Sequence, residues 1–268
     1  MSATPHAISS RDNPLLKRLR LLAQDSTAYR KSGQVWLEGD HLCRALLARG
    51  LRPATAVFTE RFWVQAPHDL RDAADHVVTV PDALMAGISG LESPAGVGFV
   101  WELPAAPTVL PGVAAVVLDR LQDAGNVGSI LRSAAAFGFG QVLALKGTAA
   151  LWSPKVVRSG MGAHFGLRLV EGLSVAELDA LDVPLIVTSS HRGDWLHQAA
   201  LPWPCAWVLG HEGQGVSAAL EARAGQAVRI AQPGGEESLN VAAAAAICLH
   251  ASGAQQAASA RNAGLQTL

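Results

Sequence analysis

Three short stretches hold the polar residues best suited to chemistry, and each begins where an apolar run gives out. The first is LDRLQDAGNVGSILRSAAAFGFG, residues 118–140. Asn126 stands at the predicted start of a helix, where its side chain would cap free backbone N–H groups, and Arg132 follows six residues on, inside that helix. The second is VLGHEGQGVS, residues 208–217, with glycines at 210, 213 and 215 around Glu212. Glycines so close together let a backbone approach a ligand or turn through positive φ, and Glu212 adds a charge at a strand's carboxyl end. The third runs from Arg229 to Ala251. There Ile230 ends a strand, Pro233-Gly234-Gly235 turns the chain, and Ser238 and Asn240 precede a smooth Ala242–Ala246 helix. Taken singly, each has an ordinary structural explanation: a tight turn with a surface arginine, a solvated glutamate, a Ser/Asn cap. In order, at the ends of three strands, they point to a ligand site beyond the carboxyl edge of a parallel sheet. Neither GxGxxG nor GxxxxGK[ST] is present, so the phosphate loops of dinucleotide and nucleoside-triphosphate enzymes are not indicated.

The elements that must position these residues alternate. Short apolar runs at Ala114–Leu118, Gln141–Leu145, Pro184–Val187, Ala206–Leu209 and Ala227–Ile230 fit strands buried on both faces. Helical stretches lie between and after them at Val127–Phe137, Pro154–Met161, Val175–Leu181, Ser217–Ala224 and Asn240–Ala251, which implies a largely parallel sheet. The residues before Glu102 alternate in the same way on a smaller scale. Strands are expected at Gln34–Leu37, Ala54–Thr59, His76–Val80 and Val97–Trp101, with helices at Pro14–Gln24, Asp40–Arg49 and Pro81–Ile88. ELPAAPTVLP, residues 102–111, holds three prolines and reads as a linker. Two domains follow, 1–105 and 106–268, and the tail 252–268 is expected to fray.

Composition narrows the classes. Half of the 268 residues are apolar, 16% are charged, and the net charge is −1, which excludes a disordered chain. The first residues show no apolar h-region and no apolar run is long enough to span a bilayer, so neither a secretory leader nor a membrane partner is expected. Cys43, Cys205 and Cys248 are unclustered, which suits reduced thiols and a cytoplasmic location. With no CxxC and no HExxH, no metal is expected. The near-neutral average hides a basic start: six cations against two aspartates in residues 1–31 leave +4. Arg11, Lys17, Arg18 and Arg20 lie around an amphipathic helix with Asn13 at its cap. They are either a solvated face or a patch for RNA phosphates.

Together the three polar stretches resemble those of the SpoU (TrmH-type) family of RNA ribose methyltransferases in the SPOUT superfamily. The second is similar to the family's LGxEGxG loop and the third to its SLN motif. KVVRSGMGAHF, residues 155–165, resembles a further family stretch, and the likeness covers roughly 113–251. RDNPLLKRLRLL, WLEG (36–39) and SPAGVGFV (93–100) resemble the substrate-binding domain, folded like ribosomal protein L30e, that often precedes it. Two family positions differ. Ala124 stands where a proline is common, and Ala231-Gln232 follow Ile230 where Pro-Met is common.

The resemblance implies an α/β fold: a C-terminal trefoil-knot domain with a mainly parallel sheet behind a small L30e-like α/β domain. It implies S-adenosylmethionine held by Thr188, Ser189, Gly210, His211, Glu212, Gly213, Ile230, Gln232, Ser238, Leu239, Asn240 and Ala243. It also implies a homodimer acting on structured RNA, with ribosomal RNA favoured over transfer RNA. The catalytic set would be Asn126, Arg132, Glu212, Ser238 and Asn240. Arg11, Lys17, Arg18, Arg20, Arg132 and Arg158 would meet the RNA. The reaction so implied is displacement at a sulfonium methyl by a ribose 2′-hydroxyl, brought into line at about 3–3.5 Å. An arginine is protonated at any ordinary pH, so holding phosphate and stabilising developing charge suits Arg132 better than general base work. Asn126 would orient Arg132 or the ribose, and Glu212 would fix the arginine or the loop. Two alternatives compete. A non-catalytic RNA-binding dimer on the same fold would have little reason to keep all five polar groups. A nucleotide-using small-molecule enzyme would need the phosphate loop that is missing.

Overall fold

The computed structural model describes residues 4–189, 192–234, 238–262 and 264. Gly235 of the expected turn and five residues of the expected frayed tail, 263 and 265–268, lie outside them. The chain divides into two compact units, one of residues 1–105 with 152–165, the other of 106–151 with 166–268. The stretch 152–165, expected in the second domain, packs with the first.

The first unit begins with strand β1 (His6–Ala7), helices α1 (Pro14–Gln24) and α2 (Ala28–Ser32), strand β2 (Gln34–Glu38), helix α3 (Asp40–Leu47) and strand β3 (Thr55–Thr59). Helices α4 (Glu60–Gln65) and α5 (His68–Arg71), strand β4 (His76–Val80), helix α6 (Asp82–Ala86) and strand β5 (Val97–Glu102) complete its first stretch. The five strands form one sheet in the order β1-β4-β3-β5-β2. Helix α1 starts as its sequence dictates. Pro14 needs no donor at the first position, and Asn13 Oδ1 accepts from the Leu15 amide at 2.9 Å. Its Leu16, Leu19 and Leu22 are buried, so the cations fall on the outer face. Gly98 in β5 lies under the Trp36 ring, where any Cβ would collide with the indole. The later stretch of this unit adds edge-on ring contacts, Trp101 meeting Phe165 with centroids 5.5 Å apart. Those aromatic contacts are what draw 152–165 into the first core.

The second unit contains strand β6 (Ala115–Asp119), helix α7 (Ala124–Ala136) and strand β7 (Gln141–Leu145), after which helix α8 (Pro154–Gly160) belongs to the first unit. It resumes with strand β8 (Arg168–Leu173), a 3-10 segment Val175–Leu181, strands β9 (Leu185–Thr188), β10 (Asp194–Trp195) and β11 (Ala206–Gly210), helix α9 (Ala218–Glu221), strand β12 (Gln226–Arg229) and helix α10 (Val241–Asn262). The sheet order is β10-β12-β9-β11-β6-β7-β8, and each of its six pairings is parallel. Strands β6, β7 and β11 are buried along their whole length, as continuous apolar runs should be in a sheet covered on both sides. From β12, α10 returns across the sheet to pack on α7 and β11.

Helix α10 corrects the expected frayed tail. It continues to Asn262, and distant residues hold it there. Ser252 is buried and its Oγ accepts from Trp207 Nε1 at 2.9 Å. Gln255 donates to the Ala199 carbonyl and accepts from the Leu201 amide. Gly253 passes so close to α7 that a Cβ would sit 3.0 Å from the Phe137 carbonyl oxygen.

Candidate active site

The three polar stretches meet at the carboxyl edge of the second unit's sheet. Asp119 at the end of β6 lies opposite Gly210 at the end of β11. Beside them is a cavity of about 700 Å³. It is lined by Thr188 and Ser189 after β9, by Gly210–Val216 after β11, by Ile230 and Gln232 after β12, and by Ser238–Val241 and Ala244 where α10 begins. Every cofactor residue expected from the resemblance lines this cavity except Ala243. The helix turn decides that difference: Val241 and Ala244, three apart, face the cavity, while Ala243 is exposed.

The helix that carries Asn126 starts earlier than its sequence suggests. Its cap is Asp123, whose Oδ1 accepts from the Asn126 amide at 2.7 Å, so Asn126 is not the N-cap. Placed one turn inside, its side chain is free for longer bonds. Asn126 Nδ2 donates to Glu212 Oε1 at 3.3 Å, and Asn126 Oδ1 accepts from Asn240 Nδ2 at 3.0 Å. One polar chain thus joins all three stretches. Asn240 also caps α10, its Oδ1 accepting from the amides of Ala242 and Ala243 at 2.9 and 3.3 Å.

Glu212 fixes the loop rather than the arginine. Its carboxylate accepts from the Asp123 amide at 3.1 Å and the Gln122 amide at 3.3 Å. Partial burial pushes this carboxyl up. The hydrogen bonds from its own amide, the Asp123 amide, the Asn126 side chain and the Gln122 amide outweigh that and hold it below the ordinary 4.5. The loop closes on itself: the His211 amide donates to the Gly215 carbonyl at 3.0 Å and the Gly215 amide returns a bond at 2.8 Å. Gly215 takes φ +69°, and at Gly210 a Cβ would collide with the backbone of Gly215 and Val216. Only glycine fits there.

Arg132 stands apart. It is exposed on α7, outside the cavity lining, and has no hydrogen-bond or ion-pair partner among the described residues. Ser238 is exposed at the cavity wall. In the first unit, Arg11 and Arg18 are exposed, Lys17 pairs with Asp12 at 3.1 Å, and Arg20 Nη2 donates to the Arg11 carbonyl. Arg158 is half-buried and donates to the Gly90 carbonyl at 2.9 Å.

Sequence reasoning overlooked Asp119, a carboxylate 2% exposed at the strand end. Its Oδ2 accepts from the Ser217 amide at 2.7 Å and its Oδ1 from Arg120 Nε at 2.9 Å. The signal was there in the acid that closes the apolar run VVLD. Burial pushes this carboxyl up, but the hydrogen bonds from Arg120 and Ser217 bring it below the ordinary 3.8.

The cavity suits S-adenosylmethionine on its own terms. Gln232 Oε1 is buried at its wall with no hydrogen-bond partner among the described residues. A buried acceptor left so needs a donor from a ligand or water. The surrounding glycine backbone, Ile230 and Leu239 offer the mixture of apolar wall and few polar groups that small-molecule sites use. Among the described residues, no cluster could hold a metal ion.

Comparison with known proteins agrees with this geometry. Residues 114–250 match the model of the SpoU rRNA methylase family. An uncharacterized tRNA/rRNA methyltransferase of Synechocystis is 32% identical over 93% of this chain and 94% of its own length. The 23S rRNA (guanosine(2553)-2′-O)-methyltransferase RlmP of Bacillus subtilis is 30% identical over 82% of this chain and 88% of its own. The solved rRNA methyltransferase of Sinorhizobium meliloti with AdoMet bound superimposes with a TM-score of 0.78 at 25% identity, covering 93% of this chain and 97% of that one. The chain belongs to the SpoU family of S-adenosylmethionine-dependent RNA methyltransferases.

Proposed function

We propose that this enzyme methylates a ribose 2′-hydroxyl in ribosomal RNA and works as a homodimer in the cytoplasm. The observation that carries the reading is the Asn240–Asn126–Glu212 chain of hydrogen bonds along the cofactor cavity. It joins two side-chain amides and a carboxylate, from two helix starts and one strand-end loop, in a single frame, which is what positioning a second reactant requires. The bound cofactor supplies a methyl group on a positively charged sulfur. The chain's part is to hold the hydroxyl in line and to accommodate the negative charge it gains as its proton passes to solvent. Arg132, exposed and unpartnered among the described residues, is suited to grip a phosphate beside that hydroxyl and stabilise its developing negative charge.

Several observations support the finer points. The curated relative RlmP is named for 23S rRNA, and the exposed cations of α1 give the first unit a face for phosphate. Ala243, Ile247, His250 and Ala254 lie exposed on one side of α10, a mostly apolar stripe that a second copy would cover. Three free, buried cysteines suit a reducing compartment.

Purified enzyme with methyl-labelled cofactor, offered ribosomal or transfer RNA, tests the reading. Label in the ribose of ribosomal RNA, abolished by Arg132→Ala with the fold and cofactor affinity retained, is the expected result. Label in transfer RNA alone would move the substrate class. Label in neither, or undiminished transfer by the variant, would overturn the assignment.

A further inference from the structure

We propose that Asp119, Arg120 and Gln214 form a clasp that holds the 210–216 loop in its cavity-walling shape, making them positioning residues for the cofactor. The inference rests on the cofactor reading of the cavity and extends it to residues that the three polar stretches did not single out.

The loop is gripped from both directions by the same strand-end segment. Glu212 reaches out of the loop to the amides of Gln122 and Asp123. Asp119 reaches from the strand end into the loop's far side, where its Oδ2 accepts from the Ser217 amide at 2.7 Å. Its other oxygen takes Arg120 Nε at 2.9 Å, so both oxygens of the buried carboxylate are engaged. Arg120 completes the span by donating from Nη1 to Gln214 Oε1 at 3.1 Å, on the cavity wall.

The backbone of Arg120 argues that this arrangement is specific. Its φ is +62°, in the left-handed region that non-glycine residues rarely enter and that persists only where the surroundings over-determine it. Those surroundings are present. The Arg120 amide donates to Thr148 Oγ1 at 3.1 Å, and that hydroxyl in turn donates to the Leu118 carbonyl. Gly147, at φ +95°, leaves room for the arginine stem, since a Cβ there would come 3.3 Å from Arg120 Cγ. A cation serving only solubility needs no such fit. The strained turn aims the guanidinium so that one end meets Asp119 and the other meets the loop tip.

A loop held this way is ordered before any ligand arrives, so cofactor binding does not bear the cost of ordering it. Asp119 acts through Ser217 and Arg120, and Arg120 through Gln214. Gln214 also lines the cavity, so the test must separate clasping from direct contact.

The test measures S-adenosylmethionine affinity by calorimetry without RNA, together with hydrogen exchange of the 211–217 amides in the cofactor-free protein. Arg120→Ala is expected to raise the cofactor Kd about tenfold and to speed exchange of the loop amides, with RNA affinity unchanged. Gln214→Ala is expected to weaken binding similarly, and the double variant no more than Arg120→Ala alone, because the two side chains form one link. Unchanged Kd and exchange in Arg120→Ala would overturn the clasp. So would additive losses in the double variant, which would mean that Gln214 acts by touching the cofactor. A wild-type protein that bound no cofactor would remove the reading of the cavity, while the exchange comparison would still decide the clasp.

Discussion

Asn240 donates from Nδ2 to Asn126 Oδ1 at 3.0 Å, although 114 residues separate them. The same Asn240 caps α10 through its Oδ1, so one side chain both starts the last helix and completes the polar frame. These two tasks can be divided by substitution. Asn240→Asp keeps a capping oxygen and loses the donor, so the melting temperature should stay near wild type while methyl transfer falls about tenfold or more, the factor for ~1.4 kcal/mol. Asn240→Ala loses both and should also cost about 1 kcal/mol of stability. Thermal melts beside labelled-methyl assays separate the two, and equal activity in Asn240→Asp would remove the bond from the mechanism.

Acid should weaken the loop before it touches the core. Glu212 is held below its ordinary 4.5 by the bonds it accepts. A carboxyl depressed in the folded state contributes stability that is present above its unfolded value and lost as pH falls through its folded value. Asp119, below 3.8, acts in the same sense. The stability difference between wild type and Glu212→Gln should therefore be constant above pH 4.5 and shrink below it. Urea unfolding at a series of pH values reads this directly. A gap that widened on acidification would have the wrong sign.

Gln232 Oε1, unpartnered among the described residues, predicts opposite effects on stability and binding. Replacing a buried, unsatisfied polar group with an apolar one of similar shape is neutral or stabilising. Gln232→Leu should leave the cofactor-free melting temperature unchanged or raised, yet weaken S-adenosylmethionine binding several-fold, about 1 kcal/mol for a lost hydrogen bond. Intact affinity would show that this oxygen meets no donor on the ligand.

The basic face of α1 predicts a salt-dependent contribution to RNA affinity. Changing Lys17, Arg18 and Arg20 together to Ala should weaken RNA binding and flatten its dependence on salt by about 0.7–0.9 in log–log slope for each phosphate contact removed. Lys17 already faces Asp12, but that exposed pair is weak enough to yield to phosphate. An unchanged slope in filter-binding titrations would assign RNA contact elsewhere.

Much of this was legible because local rules and tertiary demands agree. Helix α1 runs from Pro14 to Gln24 with Asn13 as its cap, as the proline and the leucine spacing require. The buried strands follow their apolar runs to within a residue or two at each end. Other features were hidden in ambiguity or in distance. Asp123 and Asn126 are both good caps, three residues apart, and the glycine between them reads equally as turn or first helical turn. The choice falls to Asp123 because Asn126 is wanted by Glu212 and Asn240. The tail reads as frayed because its sequence is polar and small. Its anchors, Trp207 and the carbonyl of Ala199, lie 45 and 56 residues away. Ala243 rather than Ala244 was expected at the cavity because the side of an all-alanine stretch that meets a ligand is set by tertiary packing, which its expected Asn240 cap does not reveal.

Helix α10 follows every strand of the sheet in sequence, yet it furnishes part of the cavity wall through Val241 and Ala244 and the partner of the Trp207 indole through Ser252. A chain with all its strands in place but no α10 still lacks both. Competence to bind the methyl donor therefore waits on α10, however early the sheet itself is made. Cut short before α10, a chain leaves the buried Trp207 indole N–H without its acceptor and bares the part of β11 and α7 that α10 covers.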